Sequence, residues 1–146
     1  MKKNPSSLWF QPLTIDDLNH RGKDTMAEHL DIRFIDVGAD YLVATMPVDH
    51  RTKQPRGLLH GGASVALAET IGSMAGNFCV DPSKFYCVGL EINANHVRAM
   101  TEGFVSGKAT PLHLGRKTQV WEIKITNADH KLVCISRLTM AVMEHS

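Results

Sequence analysis

The chain has 146 residues, of which 43% are hydrophobic and 21% are charged, and its formal net charge is +1. This length suits one domain with a real core, and so small a charge excludes bulk electrostatic attraction to nucleic acid. No apolar run approaches the roughly 20 residues of a membrane span, and no apolar stretch follows the basic N-terminus as in a secretory signal. Three cysteines without CxxC spacing argue against a disulfide framework, so we expect a cytoplasmic protein with reduced thiols.

The first thirty residues predict a tail and two short helices. Residues 1–13 are expected to form a loosely held N-terminal tail, and residues 14–146 to form the single domain. Thr14 followed by Asp17 resembles a capping box at the start of a helix, and residues 25–30 predict a second helical piece.

From Ile32 the apolar residues recur at every second position, which indicates strands. Residues 32–37 and 41–48 are rich in β-forming residues, and the Gly-Ala-Asp between them predicts a hairpin turn. A polar loop over residues 49–59 follows this hairpin.

A long run with no strand-like alternation covers residues 54–78. Its apolar residues fall on several sides of a helical wheel, which predicts a helix that is buried rather than half-exposed. Its other residues are small, and two glycines inside it cost about 1 kcal/mol each against alanine, which indicates a close-packed surface. Glu69 is the one acid in this run, and a lone buried carboxylate is costly unless it is paired, hydrogen-bonded or functional.

Four more strands are predicted after this helix, over residues 88–96, 103–110, 117–126 and 132–142, with turns at 111–115 and 127–129. Consecutive hairpins predict an antiparallel sheet, and the single apolar helix predicts that the sheet curls around it in an α+β fold. The exposed edges of such a sheet make a monomer unfavourable. Alternation in the first of these strands places five residues on one face, namely Val88, Leu90, Ile92, Ala94 and His96.

His60, Gly61 and Gly62 stand where the long helix begins. The first N–H groups of a helix lack internal partners and carry partial positive charge, so glycines there let a ligand oxygen approach and favour an oxyanion site. The alternative is that Gly61 and Gly62 only permit a tight turn into the helix. His60 could donate to a substrate carbonyl or simply close the helix, and Gln54 could bind a substrate oxygen or be solvated.

Glu69 lies eight positions after Gly61, which is about 12 Å along a helix that rises roughly 1.5 Å per residue. One helix therefore does not easily bring the Gly61 amide and Glu69 to a single carbonyl, whereas two antiparallel copies across a twofold axis could. Ser73, one turn beyond Glu69 on the same face, could hydrogen-bond the acid or orient a water. The alternatives are a buried ion pair for Glu69 and a packing role for Ser73.

Basic side chains gather at the ends of the predicted strands. They could grip phosphates through charge-assisted hydrogen bonds, or they could form a solvated face. No Walker motif, dinucleotide fingerprint or GxSxG elbow is present, and the histidines show no metal-binding spacing. The basic residues concerned are His96, Arg98, Lys108, His113, Arg116, Lys117 and Arg137.

Together these motifs resemble those of the hotdog-fold acyl-CoA thioesterases of the phenylacetate/4-hydroxybenzoyl-CoA type. The stretches that carry the resemblance are 54–73, which contains Leu-Leu-His-Gly-Gly, then the asparagine-containing strand 88–98, and 111–115 and 119–121. They are most similar to the 1,4-dihydroxy-2-naphthoyl-CoA thioesterase group of menaquinone synthesis. The resemblance covers residues 15–143 and implies a hotdog fold, in which an antiparallel sheet wraps around one long helix.

The resemblance implies an acyl-CoA thioester hydrolase. It makes Glu69 the catalytic carboxylate, as nucleophile or general base, and the Gly61 amide the group that polarises the thioester carbonyl. His60 and Gln54 would hold that end of the substrate, and Ser73 would support the acid or the water. The resemblance also implies a coenzyme A channel formed by Gly89, His96, Val97, Arg98, Ala99, His113, Leu114, Gly115, Arg116, Lys117 and Thr118.

The expected partners follow from the same resemblance. Coenzyme A is part of the substrate, so no cofactor or metal is expected, and a second copy shares the active sites in a dimer that pairs into a homotetramer. Arg56 departs from the pattern, because a bulky apolar or aromatic residue is expected after Gln-Pro. The alternatives are an acyl-CoA-binding module without turnover, although residues 1–30 are too short for the usual DNA-binding element, and a hydroxyacyl-thioester dehydratase, for which His60 is poorly spaced from Glu69.

Overall fold

The described residues, 7–146, form a six-stranded antiparallel sheet with one long helix on its inner face in this computed structural model. This architecture confirms the predicted α+β fold. In chain order the elements are α1 (Ile15–Arg21), α2 (Met26–His29), β1 (Arg33–Val37), β2 (Leu42–Pro47), α3 (Gly61–Phe78), β3 (Phe85–His96), β4 (Phe104–Leu114), β5 (Thr118–Thr126) and β6 (Leu132–Glu144).

The strands lie in the order β1-β2-β4-β5-β6-β3, and every neighbouring pair is antiparallel. The expected run of consecutive hairpins after the helix is wrong at its first step, because β3 does not pair with β4. The helix α3 carries the chain across the inner face of the sheet, so β3 enters at the opposite edge, beside β6. No strand among the described residues covers the other edge of β3.

One stripe of α3 packs against the sheet. Glycine is required in this stripe where the two layers come closest: a Cβ at Gly72 would lie 2.7 Å from Cδ2 of Leu138. The predicted burial on all sides is wrong for the single chain, because Glu69, Thr70 and Ser73 on the rest of the helix are partly exposed. The buried stripe comprises Ser64, Leu67, Ala68, Ile71, Gly72, Ala75 and Gly76.

A β-bulge changes the expected faces of β3. The register with β6 skips Leu90, which is the extra residue. Because one extra residue reverses the alternation, Val88 and Leu90 lie on the outer side of the sheet, where they are 41% and 61% exposed. The expectation that they share a face with Ile92, Ala94 and His96 is therefore wrong, and Gly89 faces α3 instead.

The strand β4 is longer than expected. It was expected to end at Thr110, but it continues to Leu114. Pro111 lies opposite Trp121 on β5, and a second bulge follows between Pro111 and His113. Proline has no N–H to donate to the neighbouring strand, and a bulge is a place in a sheet where that loss is tolerated. The strand therefore continues past Pro111, and the turn into β5 is confined to residues 115–117.

The N-terminal part of the chain packs on the body of the fold. Thr14 and Asp17 form the predicted capping box of α1, which is confirmed. Trp9 is only 6% exposed, and its Nε1 donates to the carbonyl of Gly38 at 2.8 Å. Residues 1–6 of the expected tail lie outside the described residues. In the described part of the chain, none of the helices combines the length and apolarity that crossing a bilayer requires.

Candidate active site

A tight turn before α3 holds Gln54 beside the helix N-terminus. The Gln54 N–H donates to the Leu58 carbonyl at 2.8 Å, and the Gln54 carbonyl accepts from the Gly57 N–H at 2.9 Å. Gly57 has a φ of +78°, a left-handed conformation that favours glycine. The side-chain Oε1 of Gln54 accepts from the Arg56 N–H, so the side-chain NH₂ of Gln54 is the part available to a ligand.

His60 is the N-cap of α3. Its Nδ1 accepts from the Gly62 N–H at 2.8 Å, and its carbonyl accepts from the N–H groups of Ala63 and Ser64 at 3.0 and 3.2 Å. The Gly61 N–H is the one amide of this turn without an acceptor among residues 7–146. A neutral His60 whose Nδ1 accepts carries its proton on Nε2 and can donate outward. The helix is thus closed, and one amide is left for a ligand.

A close contact with β3 explains why residue 61 has no side chain. A Cβ at Gly61 would lie 2.9 Å from Nε2 of His96. An open cleft beside this contact is lined by Gln54, Pro55, Arg56, His60 and Gly61. The structure therefore brings together four of the expected site residues, Gln54, His60, Gly61 and His96.

Glu69 lies two turns further along α3, on the side that faces β3. Its Oε1 lies only 2.6 Å from where a Cβ at Gly89 would be, so the carboxylate sits directly over the Gly89 backbone. Within residues 7–146 the carboxylate makes neither an ion pair nor a hydrogen bond, so the ion-pair alternative finds no partner among these residues. Ser73 makes no hydrogen bond to Glu69 in the single chain.

Asn77 is a residue of this region that the sequence analysis missed. Its Oδ1 accepts from the Cys87 N–H at 2.8 Å, and its Nδ2 donates to the carbonyls of Cys87 and Ser73 at 3.1 and 2.9 Å. These bonds fix the start of β3 against the last turns of α3 and so hold Gly89 beneath Glu69. In the sequence, only the four-residue spacing from Ser73 indicates Asn77, because that spacing places both residues on one face of the helix.

Apart from Gly89, which lies within β3 beneath Glu69, the residues expected to bind coenzyme A fall into two groups at opposite ends of β3. The first group is the segment 96–99, near the N-terminus of α3. The N–H groups of Val97 and Arg98 both donate to the Val133 carbonyl, at 2.9 and 3.2 Å, and Nε of Arg98 donates to the Leu132 carbonyl at 3.3 Å. The backbone of this segment is therefore fixed, while the Arg98 side chain is exposed.

The second group is the turn 113–118 between β4 and β5, beyond the C-terminus of α3. The Gly115 N–H donates to the Thr118 carbonyl at 2.9 Å, and the His113 ring packs against Gly115. Gly115, Arg116 and Lys117 line an open cleft of about 680 Å³ together with Phe85, the first residue of β3. A single chain does not bring this turn next to the segment 96–99.

A surface ion-pair cluster holds the loop that precedes the site. Nη2 of Arg51 lies 2.6 Å from Oδ2 of Asp49 and 3.8 Å from Oδ2 of Asp31. Hydrogen bonding to Arg51 lowers the pKa of Asp49 to about 2. The buried Thr52 follows, and its carbonyl accepts from the His60 N–H at 2.8 Å. The cluster thereby orients the N-cap of α3.

Two buried thiols lie near the site but are poor nucleophiles. Burial raises the pKa of Cys87 to about 11 and also raises the pKa of Cys134, and the thiol rather than the thiolate dominates at neutral pH. Over residues 7–146, no three His, Cys, Asp or Glu side chains are grouped as metal ligands. The Glu69 carboxylate, by contrast, is partly exposed between α3 and β3, and a carboxylate can act as a base or a nucleophile.

Known proteins are similar to this chain in sequence and in fold. The sequence pattern of the Thioesterase superfamily matches residues 56–134. The 1,4-dihydroxy-2-naphthoyl-CoA hydrolase of Escherichia coli K12 is 55% identical over 93% of this chain and 99% of its own length. The proofreading thioesterase EntH of Cronobacter turicensis is 51% identical over 93% and 98% of the two chains. The crystal structure of a Pseudomonas aeruginosa thioesterase variant with one glutamine replaced by alanine has a TM-score of 0.94 at 52% identity, covering 95% of this chain and 100% of that one.

Proposed function

This chain belongs to the Thioesterase superfamily and has its hotdog fold, and on that premise we propose that it hydrolyses an aromatic acyl-CoA thioester to the free acid and coenzyme A. The observation that carries the proposal is a pair of groups on α3 that have no partner within residues 7–146, the Gly61 N–H and the Glu69 carboxylate. The first can stabilise an oxyanion, and the second can attack a carbonyl or activate water.

In the proposed reaction the thioester carbonyl oxygen accepts from the Gly61 N–H. The helix dipole then stabilises the negative charge that develops on this oxygen as the carbonyl carbon becomes tetrahedral. Glu69 acts either as the nucleophile, forming an anhydride that water hydrolyses, or as the general base that takes a proton from the attacking water. In both routes the C–S bond breaks when the tetrahedral intermediate collapses, and coenzyme A leaves as its thiolate. His60 Nε2 and the Gln54 amide hold the carbonyl end, and Ser73 supports the acid or the water.

Two subunits share each site in this proposal. Within one chain Gly61 lies against His96 and Glu69 lies against Gly89, about 12 Å apart along α3. The 12-residue strand β3 is a sheet edge that no strand of the described residues covers, and such an edge can pair with a second copy across a twofold axis. Antiparallel pairing about an axis near Ile92 would bring Glu69 level with the partner's Gly61.

The same pairing would join the two halves of the coenzyme A channel. In this register His96 lies beside the partner's Gly89, and the segment after it runs along the partner's β3 toward Phe85, which lines the cleft that contains Arg116 and Lys117. Segment 96–99 of one subunit and the turn 113–118 of the other would then flank one channel, with cations placed for phosphates. The outer face of the sheet exposes apolar side chains that support pairing of two dimers into a tetramer, namely Val88, Leu90 and Leu112.

The aromatic acyl class rests on the relatives. The E. coli relative is named for a 1,4-dihydroxy-2-naphthoyl group, and we propose an acyl group of that or of the benzoyl type for this chain. The relative from C. turicensis has a different name at similar identity, so the acyl group has to be assigned by assay. A preference for the bicyclic thioester would indicate menaquinone synthesis as the pathway.

Thiol release from a small panel of acyl-CoA thioesters tests the proposal. Wild type and Glu69→Gln are assayed with dihydroxynaphthoyl-, benzoyl-, phenylacetyl- and medium-chain aliphatic CoA. We expect the aromatic thioesters to be hydrolysed fastest, and Glu69→Gln to fold and bind them while turnover falls about 10²- to 10⁴-fold. Glu102→Gln, the same change on an exposed acid outside the site, is the control and keeps wild-type turnover. Binding of every thioester without release would indicate a non-catalytic acyl-CoA-binding module instead.

A further inference from the structure

Two arginines line the clefts that contain Ser73 and Gly61, and neither has an ion-pair partner in residues 7–146. They are Arg21 and Arg56, and both are exposed in the single chain. The contrast is with Arg51 in the preceding loop, whose charge is matched by Asp49 at 2.6 Å. The proposed reaction gives neither unpaired arginine a role.

Arg21 is the last residue of α1 and lines a cleft of about 400 Å³ over α3. Its guanidinium lies over Phe78, with Cζ 4.7 Å from the ring centroid, which fixes the position of the charge. The same cleft contains Ser73, one turn beyond Glu69. This cleft therefore adjoins the reacting carbonyl on the face of α3 outside the stripe that packs on the sheet. The expected coenzyme A groups lie along the sheet, so the Ser73 cleft is the space left for the acyl group.

Arg56 approaches the same space from the other subunit. It lies in the hydrogen-bonded turn before α3 and lines the cleft that contains His60 and Gly61. In the proposed dimer the two long helices are antiparallel, so the residues before the partner's Gly61 continue past Glu69 toward Ser73. The partner's Arg56 and Arg21 therefore both lie at the acyl end of one site.

Resting on the proposed function, we propose that Arg21 and Arg56 select acyl groups whose ring carries an anionic substituent, a carboxylate or an ionised hydroxyl. A planar guanidinium binds such a group through paired charge-assisted hydrogen bonds, and an unsubstituted ring gains nothing from them. The phosphates of coenzyme A are the other anions in the substrate. They are common to every acyl-CoA, so a comparison of acyl groups separates the two sources.

Binding of a matched pair of thioesters, benzoyl-CoA and 4-carboxybenzoyl-CoA, tests this selectivity. Calorimetry in the Glu69→Gln background keeps the thioesters intact. We expect the carboxylated thioester to bind at least about tenfold more tightly, and Arg21→Gln or Arg56→Gln each to reduce this ratio by about tenfold. Arg21→Lys keeps the charge without the planar fork and retains part of the ratio. Lys53→Gln removes the same charge from the same loop outside the cleft, and leaves the ratio unchanged.

Two results would overturn the selectivity. One is equal binding of the two thioesters before any arginine is changed. The other is an equal loss for both thioesters and for free coenzyme A in Arg21→Gln and Arg56→Gln, which would assign the arginines to the phosphates. The test of selectivity and the test of the proposed function can fail separately. If the wild type hydrolyses no thioester, the proposed reaction is refuted. The ratio of the two binding affinities still decides whether the arginines select the anionic acyl group.

Discussion

Alanine at Gly89 is expected to slow the enzyme without unfolding it. The added Cβ would lie 2.6 Å from Oε1 of Glu69. In proteins a Cβ atom essentially never approaches another heavy atom closer than 3.0 Å, and ordinary van der Waals contact begins at 3.4 Å. The carboxylate must therefore retreat by roughly 0.4 to 0.8 Å. Because it is the end of a flexible side chain, it can do so without moving the backbone, and Gly89 does not have a left-handed φ that would exclude alanine.

The expected magnitude follows from the geometry of the reaction. A misplacement of about 1 Å in a catalytic group costs on the order of 100-fold in rate. We therefore expect Gly89→Ala to lower kcat by about 10- to 100-fold, with little change in KM or Tm. Steady-state thiol release on the preferred aromatic thioester gives kcat and KM, and calorimetry of the same samples gives Tm.

Gly107→Ala is the matched control, because it crowds the opposite side of α3. A Cβ at Gly107 would lie 2.7 Å from Cδ1 of Ile71, a core side chain. Overpacking of this kind costs about 1–3 kcal/mol, so Tm falls while kcat of the folded protein stays near that of wild type. Full kcat in Gly89→Ala, or a loss confined to its Tm, would refute the placement of Glu69 over Gly89 as the basis of activity.

Three further predictions concern the supports of the site. Asn77→Ala removes the hydrogen bonds to Cys87 and Ser73 and leaves the β3 backbone groups unpaired, so urea unfolding should show a loss of about 1–3 kcal/mol; an unchanged midpoint would contradict this role. His60→Ala removes the acceptor of the Gly62 N–H, and we expect a loss of about 1 kcal/mol with a lower kcat, measured by the same two assays. The pKa of Cys87 is raised from 9.0 to about 11 in the fold, so its contribution to stability is full below pH 9 and is lost as the pH rises through 11. Unfolding of wild type and Cys87→Ala from pH 8 to 11 measures this, and parallel curves would contradict it.

Most elements could be predicted from local patterns, because period, capping and turn residues are short-range properties. The capping box of Thr14 and Asp17 is one example, and the long helix with small residues is another. The position of β3 at the far edge could not be predicted in this way, since strand order depends on long-range pairing. The bulge at Leu90 could not be predicted either, because apolar and polar residues alternate along this strand whether or not it contains one extra residue.

The site was predictable where its chemistry lies on one helix. The spacing of Gly61 and Glu69 indicated that one chain does not join them, and in the structure each meets a different part of β3. Asn77 was missed because its role depends on the Cys87 backbone, which reaches it only through the loop between α3 and β3. The separation of the two coenzyme A groups was hidden for the same reason, since the topology alone decides which end of β3 each group occupies.

Reassociation of two inactive variants tests the shared site most directly. Glu69→Gln removes the acid. Gly61→Pro removes the amide donor at the first helical position, where proline suits the backbone, and its Cβ makes the exposed His96 ring move aside. If each site combines Glu69 of one subunit with the Gly61 amide of the other, a mixed dimer contains one site with both changes and one intact site. Random reassociation of equal amounts should then restore about a quarter of wild-type thiol release. No recovery, with mixed dimers shown to form, would place both groups in one subunit's site and contradict the proposed mechanism.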